Sequence, residues 1–174
     1  MINIAELTQQ LASLGVAQQK DLVGVAPSSI QALEAHFGVQ LPQAYHTFLL
    51  KMGRSAGYLS PWMAIYFDDL KEIREQFDFL NATLEKPITL PPNAFIIANW
   101  ESVFDYFICG EQNDPAVFRV DLCKNIPSRD HNLYATSYSD YLNNLVQNAN
   151  NNEIPTDLLE DGSADLLTED VINF

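Results

Sequence analysis

The 174-residue sequence predicts an α+β fold. The expected form is a single domain with an N-terminal helical pair and a C-terminal helix packed around a mainly antiparallel sheet of about four to six strands. Three observations predict it. Apolar residues recur at helical spacing through the first 53 positions. The middle then breaks into short runs rich in β-branched and aromatic residues, bounded by turn residues. A helical stripe returns near residue 138.

The elements follow in order. Asn3, with Glu6 three residues later, has the form of a capping box before the stripe Ile4, Leu7, Leu11 and Leu14, which Gly15 ends. A second helix is expected to open at Ser28, to bury Ile30, Leu33 and Phe37, and to stop at Gly38. Pro42 suits the first turn of a third, whose stripe is Tyr45, Phe48, Leu49 and Met52, ended by Gly53. Residues 62–67 read as a strand. Asp68 or Asp69 then caps a helix with Leu70, Ile73, Phe77 and Leu80 on its apolar face. Pro87, Pro91 and Pro92 mark residues 81–93 as loop. Residues 94–98, 103–109 and 116–120 read as strands, the last two forming a hairpin across the turn at 110–115, and 132–135 can add a final strand. Ser137 or Ser139 starts a helix that buries Tyr138, Leu142, Leu145, Val146 and Ala149. From Gln147 the polar run reads as a frayed helix end or linker. The expected division is a domain over residues 1–150 and an acidic extension over 151–174.

Composition bounds the function. Lys and Arg number 9 against 23 Asp and Glu, for a net charge of -14, with 47 % apolar residues. Residues 153–174 hold Glu153, Asp157, Glu160, Asp161, Asp165, Glu169 and Asp170 and no Lys or Arg, half of the net charge. Nucleic-acid ligands need clustered cations, so direct nucleic-acid binding is not expected, and a charge-selected partner should be basic. No apolar run approaches the roughly 20 residues of a membrane span, and the N-terminus has no basic segment leading into an apolar one. Cys109 and Cys123 are too few for a disulfide framework, so a cytoplasmic setting and two inert thiols are expected.

Motifs for catalysis are lacking. His36, His46 and His131 show no metal-ligand spacing, and read as ordinary surface or half-buried residues. Asp157, Asp161, Gly162 and Asp165 fit four positions of a calcium loop. Leu159 and Thr168 stand where two further ligands are needed, so calcium is not expected. Asp68 and Asp69 are explained by the helix they precede. No cofactor and no metal is expected. The remaining signal is acidity beside aromatics. Glu101, Asp105, Glu111, Asp114 and Asp121 surround the strand runs, and Trp62 and Trp100 border them. An aromatic anchor with an acidic rim suits a binder of a basic protein, although acidity also serves solubility.

One stretch resembles a known family. Ile30, Leu33, Glu34, Gly38, Leu41, Pro42, Tyr45, Phe48, Leu49 and Gly53 are similar to the signature of the SUKH superfamily, which includes the fungal Smi/Knr cell-wall-synthesis regulators and many bacterial immunity proteins. Residues 105–109 followed by 115–118 resemble its central strand pair, and residues 137–142 its entry into the last helix. Trp100, Glu101, Ser102, Val103 and Phe104 replace a segment that is Gly/Asp-rich in many members. The resemblance implies an α+β fold and a non-enzymatic protein-binding role. The expected function is an immunity protein that binds and neutralises a polymorphic toxin, a basic nuclease by the charge argument. The alternative is a regulatory scaffold with the acidic tail as docking segment. Trp100, Glu101, Asp105, Glu111 and Asp114 are the expected contact residues, Trp100 as anchor and the acids for steering and salt links. A monomer or weak dimer is expected.

Overall fold

A computed structural model describes residues 4–110, 112–123 and 131–151, the side chains of the last helix as far as Ala149. Asn3, Glu111 and the acidic residues 153–174 lie outside the described residues. Within them the architecture is α+β, with five helices, a four-stranded antiparallel sheet and a small two-stranded one.

Helices α1 (Ile4–Ser13), α2 (Pro27–Phe37) and α3 (Gln43–Met52) lie close to where the apolar spacing puts them. α2 begins at Pro27 with Ala26 as its cap, so Ser28 is not the capping residue. Proline's fixed φ fits the first helical position, where its missing N–H costs nothing. Gly38 ends α2 in the left-handed conformation at φ 65°, and its N–H donates to the Glu34 carbonyl. The Glu34 side chain also accepts from the Leu41 N–H at 2.8 Å and pins the α2–α3 connection. Gly53 acts through close approach, since a Cβ there would meet the Leu49 Cα at 2.6 Å. That proximity lets β1 (Leu22–Val23) and β2 (Ser55–Ala56) pair antiparallel beside α3.

The expected strand at 62–67 does not form. Only Ala64 pairs, with Asn99, through two 3.0 Å backbone bonds. The Phe67 N–H then donates to the Gly53 carbonyl at 2.7 Å, and the Tyr66 hydroxyl accepts from the Ala56 N–H. Those partners draw the chain away from the sheet into a 3-10 turn over Phe67–Asp69. Asp69 accepts from the Tyr66 N–H, and Asp68 pairs with Arg54, so both acids serve this corner. Helix α4 (Leu70–Ala82) follows.

The main sheet has the order β3-β4-β5-β6, with β3 at Ala94–Trp100, β4 at Val103–Ile108, β5 at Val117–Asp121 and β6 at Asn132–Ala135. Alternate residues face opposite ways. Phe107 of β4 meets Tyr45 of α3, and Asp105 receives a hydrogen bond from Tyr141 of α5 (Tyr138–Asn151). Phe104, of the other parity, meets Phe77 of α4. Helices therefore cover both faces, and an aromatic cluster of Tyr45, Phe48, Phe95, Phe107 and Tyr138 joins sheet to helices. Helix α5 continues to Asn151, into the polar run that reads as a frayed end or linker. Among the described residues no helix is long and apolar enough to cross a membrane.

Candidate protein-interaction surface

The tip of the β3–β4 hairpin is a two-residue turn, Glu101 and Ser102, closed by pairing of Trp100 with Val103. Glu101 has φ 55°. Glycine is the usual occupant of that left-handed position, and a non-glycine residue there costs about 1–2 kcal/mol. The surroundings hold the turn in place. The Asn99 side chain donates to the Glu101 carbonyl at 2.9 Å. The Ser102 hydroxyl donates to Asp121 at 2.8 Å, and the Leu122 N–H donates to the Ser102 carbonyl. Trp100, one residue away, is 53 % exposed. Trp62 is exposed too, two residues before the Ala64–Asn99 bridge. A rigid tip carrying an exposed tryptophan beside an acid can dock on another surface at little ordering cost.

The other expected contact residues sit elsewhere. Asp105 is only 1 % exposed, so its assignment to an exposed contact face is corrected. Its carboxylate takes a two-pronged bond from Arg119, Nε at 2.6 Å and Nη2 at 2.7 Å, and a third from the Tyr141 hydroxyl at 3.1 Å. Asp105 and Arg119 are cross-strand partners on β4 and β5. Burial works against the Arg119 charge, but the bonds and charge of Asp105 outweigh it and hold its pKa above the ordinary value. Burial, then the Asp105 charge, raises the Tyr141 pKa, which keeps that hydroxyl a donor. The Arg119 guanidinium also lies 3.6 Å from the Tyr134 ring centroid. A carboxylate sharing parity with Phe107 in an apolar strand was a signal of inward placement.

Asp114 is half-buried. It accepts from both the N–H and the hydroxyl of Ser139, and so ties the β4–β5 connection to the first turn of α5. Glu111 lies outside the described residues. The hairpin tip is therefore the described part of the expected contact set that faces outward.

Neither histidines nor cysteines gather into a reactive centre. His36 and His131 are exposed, and the His131 Nδ1 lies 2.6 Å from the Tyr106 hydroxyl. Among the described residues no group of three or more His, Cys, Asp or Glu is placed to hold a metal ion. Cys109 is buried and its thiol is pushed up to about 12, by burial first and by Glu34 second, while Cys123 is exposed. Iodoacetamide at pH 8 should label Cys123 and leave Cys109 unmodified in the folded protein, as peptide mass mapping would show.

The signature residues from Ile30 to Gly53 all have scaffold roles in this geometry. Ile30, Leu33, Leu41, Tyr45, Phe48 and Leu49 are buried, Glu34 pins the connection, and Gly38 and Gly53 end helices. The family model described as SMI1 / KNR4 family (SUKH-1) matches residues 24–144. The chain belongs to the SMI1/KNR4 family. That match begins just before α2 and ends within α5, and so spans the described strands of both sheets except β1, which precedes it. SMI1/KNR4 domains are protein-binding modules, generally without enzymatic activity. No curated protein matches the chain by sequence.

Proposed function

We propose that this SMI1/KNR4 domain is a bacterial immunity protein that binds a cognate polymorphic toxin in the cytoplasm and neutralises it without chemical turnover. The proposed toxin is a basic nuclease. Such an enzyme carries cations for its polyanionic substrate, and an acidic chain of net charge -14 would meet it with long-range attraction. The observation that carries the reading is the hairpin tip. Trp100 stands exposed on a braced turn, and Glu101 occupies a position that glycine would fill at lower cost. Strain held at an exposed turn favours a role for the side chain that is kept there.

The test is calorimetric titration with the toxin domain encoded by the adjacent reading frame. Tight 1:1 binding is expected. Trp100→Ala should weaken it by about 30-fold, roughly 2 kcal/mol, with unchanged circular dichroism. Glu101→Lys should lower the association rate mainly at low salt. No binding by the wild-type chain overturns the reading. Binding that disappears when residues 153–174 are removed, and is indifferent to Trp100, would favour a scaffold docking through its acidic tail.

A further inference from the structure

Strand β6 closes the order β3-β4-β5-β6, and among the described residues no strand pairs with its outer edge. Such an edge presents unpaired backbone N–H and C=O groups, a template for one more strand. A groove runs beside it, lined by Leu133, Tyr134, Ala135 and Thr136 on the strand side and by Asp140, Asn143 and Asn144 of α5 on the other. The spacing of 140, 143 and 144 puts those three side chains on one helix face. Leu133 is 59 % exposed. The strand side is braced from within, because the Tyr134 ring lies against Arg119 and against the Tyr141 ring.

The composition of that helix face is unusual. Asn143, Asn144, Gln147 and Asn148 are exposed, and no Lys, Arg or Glu stands in α5. Asparagine is a poor helix former, so a surface helix gains nothing in its own stability from this choice. What the amides supply is donors and acceptors together. Local rules broken without local compensation are expected at functional sites. Among the described residues that line the groove, Asp140 is the one charge. It accepts from the Thr136 hydroxyl, and hydrogen bonds from Thr136 and Ser137 lower its pKa. Among the described residues, Arg119, which lies against the Tyr134 ring, is already committed to Asp105.

We propose that this groove takes an extended, Lys- or Arg-bearing segment of the protein partner, which adds to β6 as a fifth strand of the main sheet. Backbone bonds to the β6 edge would give affinity, the amides of α5 would meet the far edge of the added strand, and Asp140 would select a cation. A second copy of this chain is disfavoured as occupant, since two surfaces of net charge -14 would be brought together. The inference rests on the reading that the partner is a basic protein.

The probe is an acetylated and amidated heptapeptide of alternating Lys and Val, titrated into the full-length ¹⁵N-labelled chain. Backbone amides of residues 132–136 and the side-chain amides of Asn143 and Asn144 should shift, and a Glu/Val peptide should leave them unchanged. Methylating alternate peptide nitrogens on the pairing edge should weaken binding at least tenfold. Asn144→Lys, a substitution by a better helix former, should do the same through like charge. Shifts confined to other regions, or equal binding of the methylated peptide, overturn strand addition. The two readings separate cleanly. If the toxin domain binds and Asn144→Lys changes neither partner's affinity, strand addition falls and the immunity role stands. If the peptide adds to β6 and the toxin domain does not bind, the reverse holds.

Discussion

Replacing Asp105 by Ala should cost about 3 kcal/mol of stability, measured by urea unfolding at pH 7. The carboxylate lies inside the sheet–helix interface and holds two bonds from Arg119 and one from Tyr141. Its removal leaves a guanidinium without its counter-ion and a buried hydroxyl without its acceptor. Arg119 keeps some contact with water, its side chain being 30 % exposed, which places the loss at the low end of the range for a broken buried pair. Coulomb attraction alone is not the source of that figure. A matched Asp105→Leu/Arg119→Met double variant should recover most of the stability, because apolar residues of similar size need no counter-ion. A double variant as unstable as Asp105→Ala would show that the loss comes from shape and not from the stranded charge. The same node seats α5 against β4 and β5, so its loss should also loosen the hairpin and helix that flank the β6 groove.

The second large effect is expected at Phe107. Its side chain is fully buried, with ring centroids 5.2 Å from Tyr45, 5.9 Å from Phe95 and 6.1 Å from Tyr138. It is the ring through which β3, β4, α3 and α5 share contacts. Phe107→Ala removes apolar area and leaves a hole that flanking rings fill only partly, for about 3–5 kcal/mol. A domain of this size has about 5–15 kcal/mol in total, so the variant should be barely folded at 37 °C. Phe107→Leu should cost less than half as much, since it preserves most of the volume. Thermal unfolding followed by near-ultraviolet circular dichroism measures both.

These two residues show which parts of the molecule can be read from a chain and which cannot. The first three helices were legible because their ends are local. Gly15, Gly38 and Gly53 follow their last turns and Pro42 stands just before the third, whereas the start of the second at Pro27, one residue ahead of the expected Ser28, was missed. Strands β3 to β6 were legible from composition and from the turn between β4 and β5. The β1–β2 pair was not, because two residues per strand carry no periodicity and the pairing depends on the close packing at Gly53. The segment at 62–67 has a strand's composition, but its partners lie at Gly53 and Ala56. Composition cannot see that.

The candidate site divides in the same way. Trp100 and Glu101 project from a turn, as their position between two strand runs suggested. Asp105 and Asp114 are drawn inward by Arg119 and Ser139, which only the strand register and the start of α5 bring near. The groove beside β6 was invisible for the same reason, since it exists only once a strand edge and a helix face are set side by side. The recognisable signature from Ile30 to Gly53 builds the scaffold. The surface that would choose a partner lies outside it.

The most direct measurement of the central claim is a nuclease assay of the proposed toxin partner, titrated with this protein at low and at high salt. Activity falling to zero at one equivalent, with association slowed severalfold by added salt, is the predicted result. Undiminished nuclease activity in the presence of excess protein would contradict it.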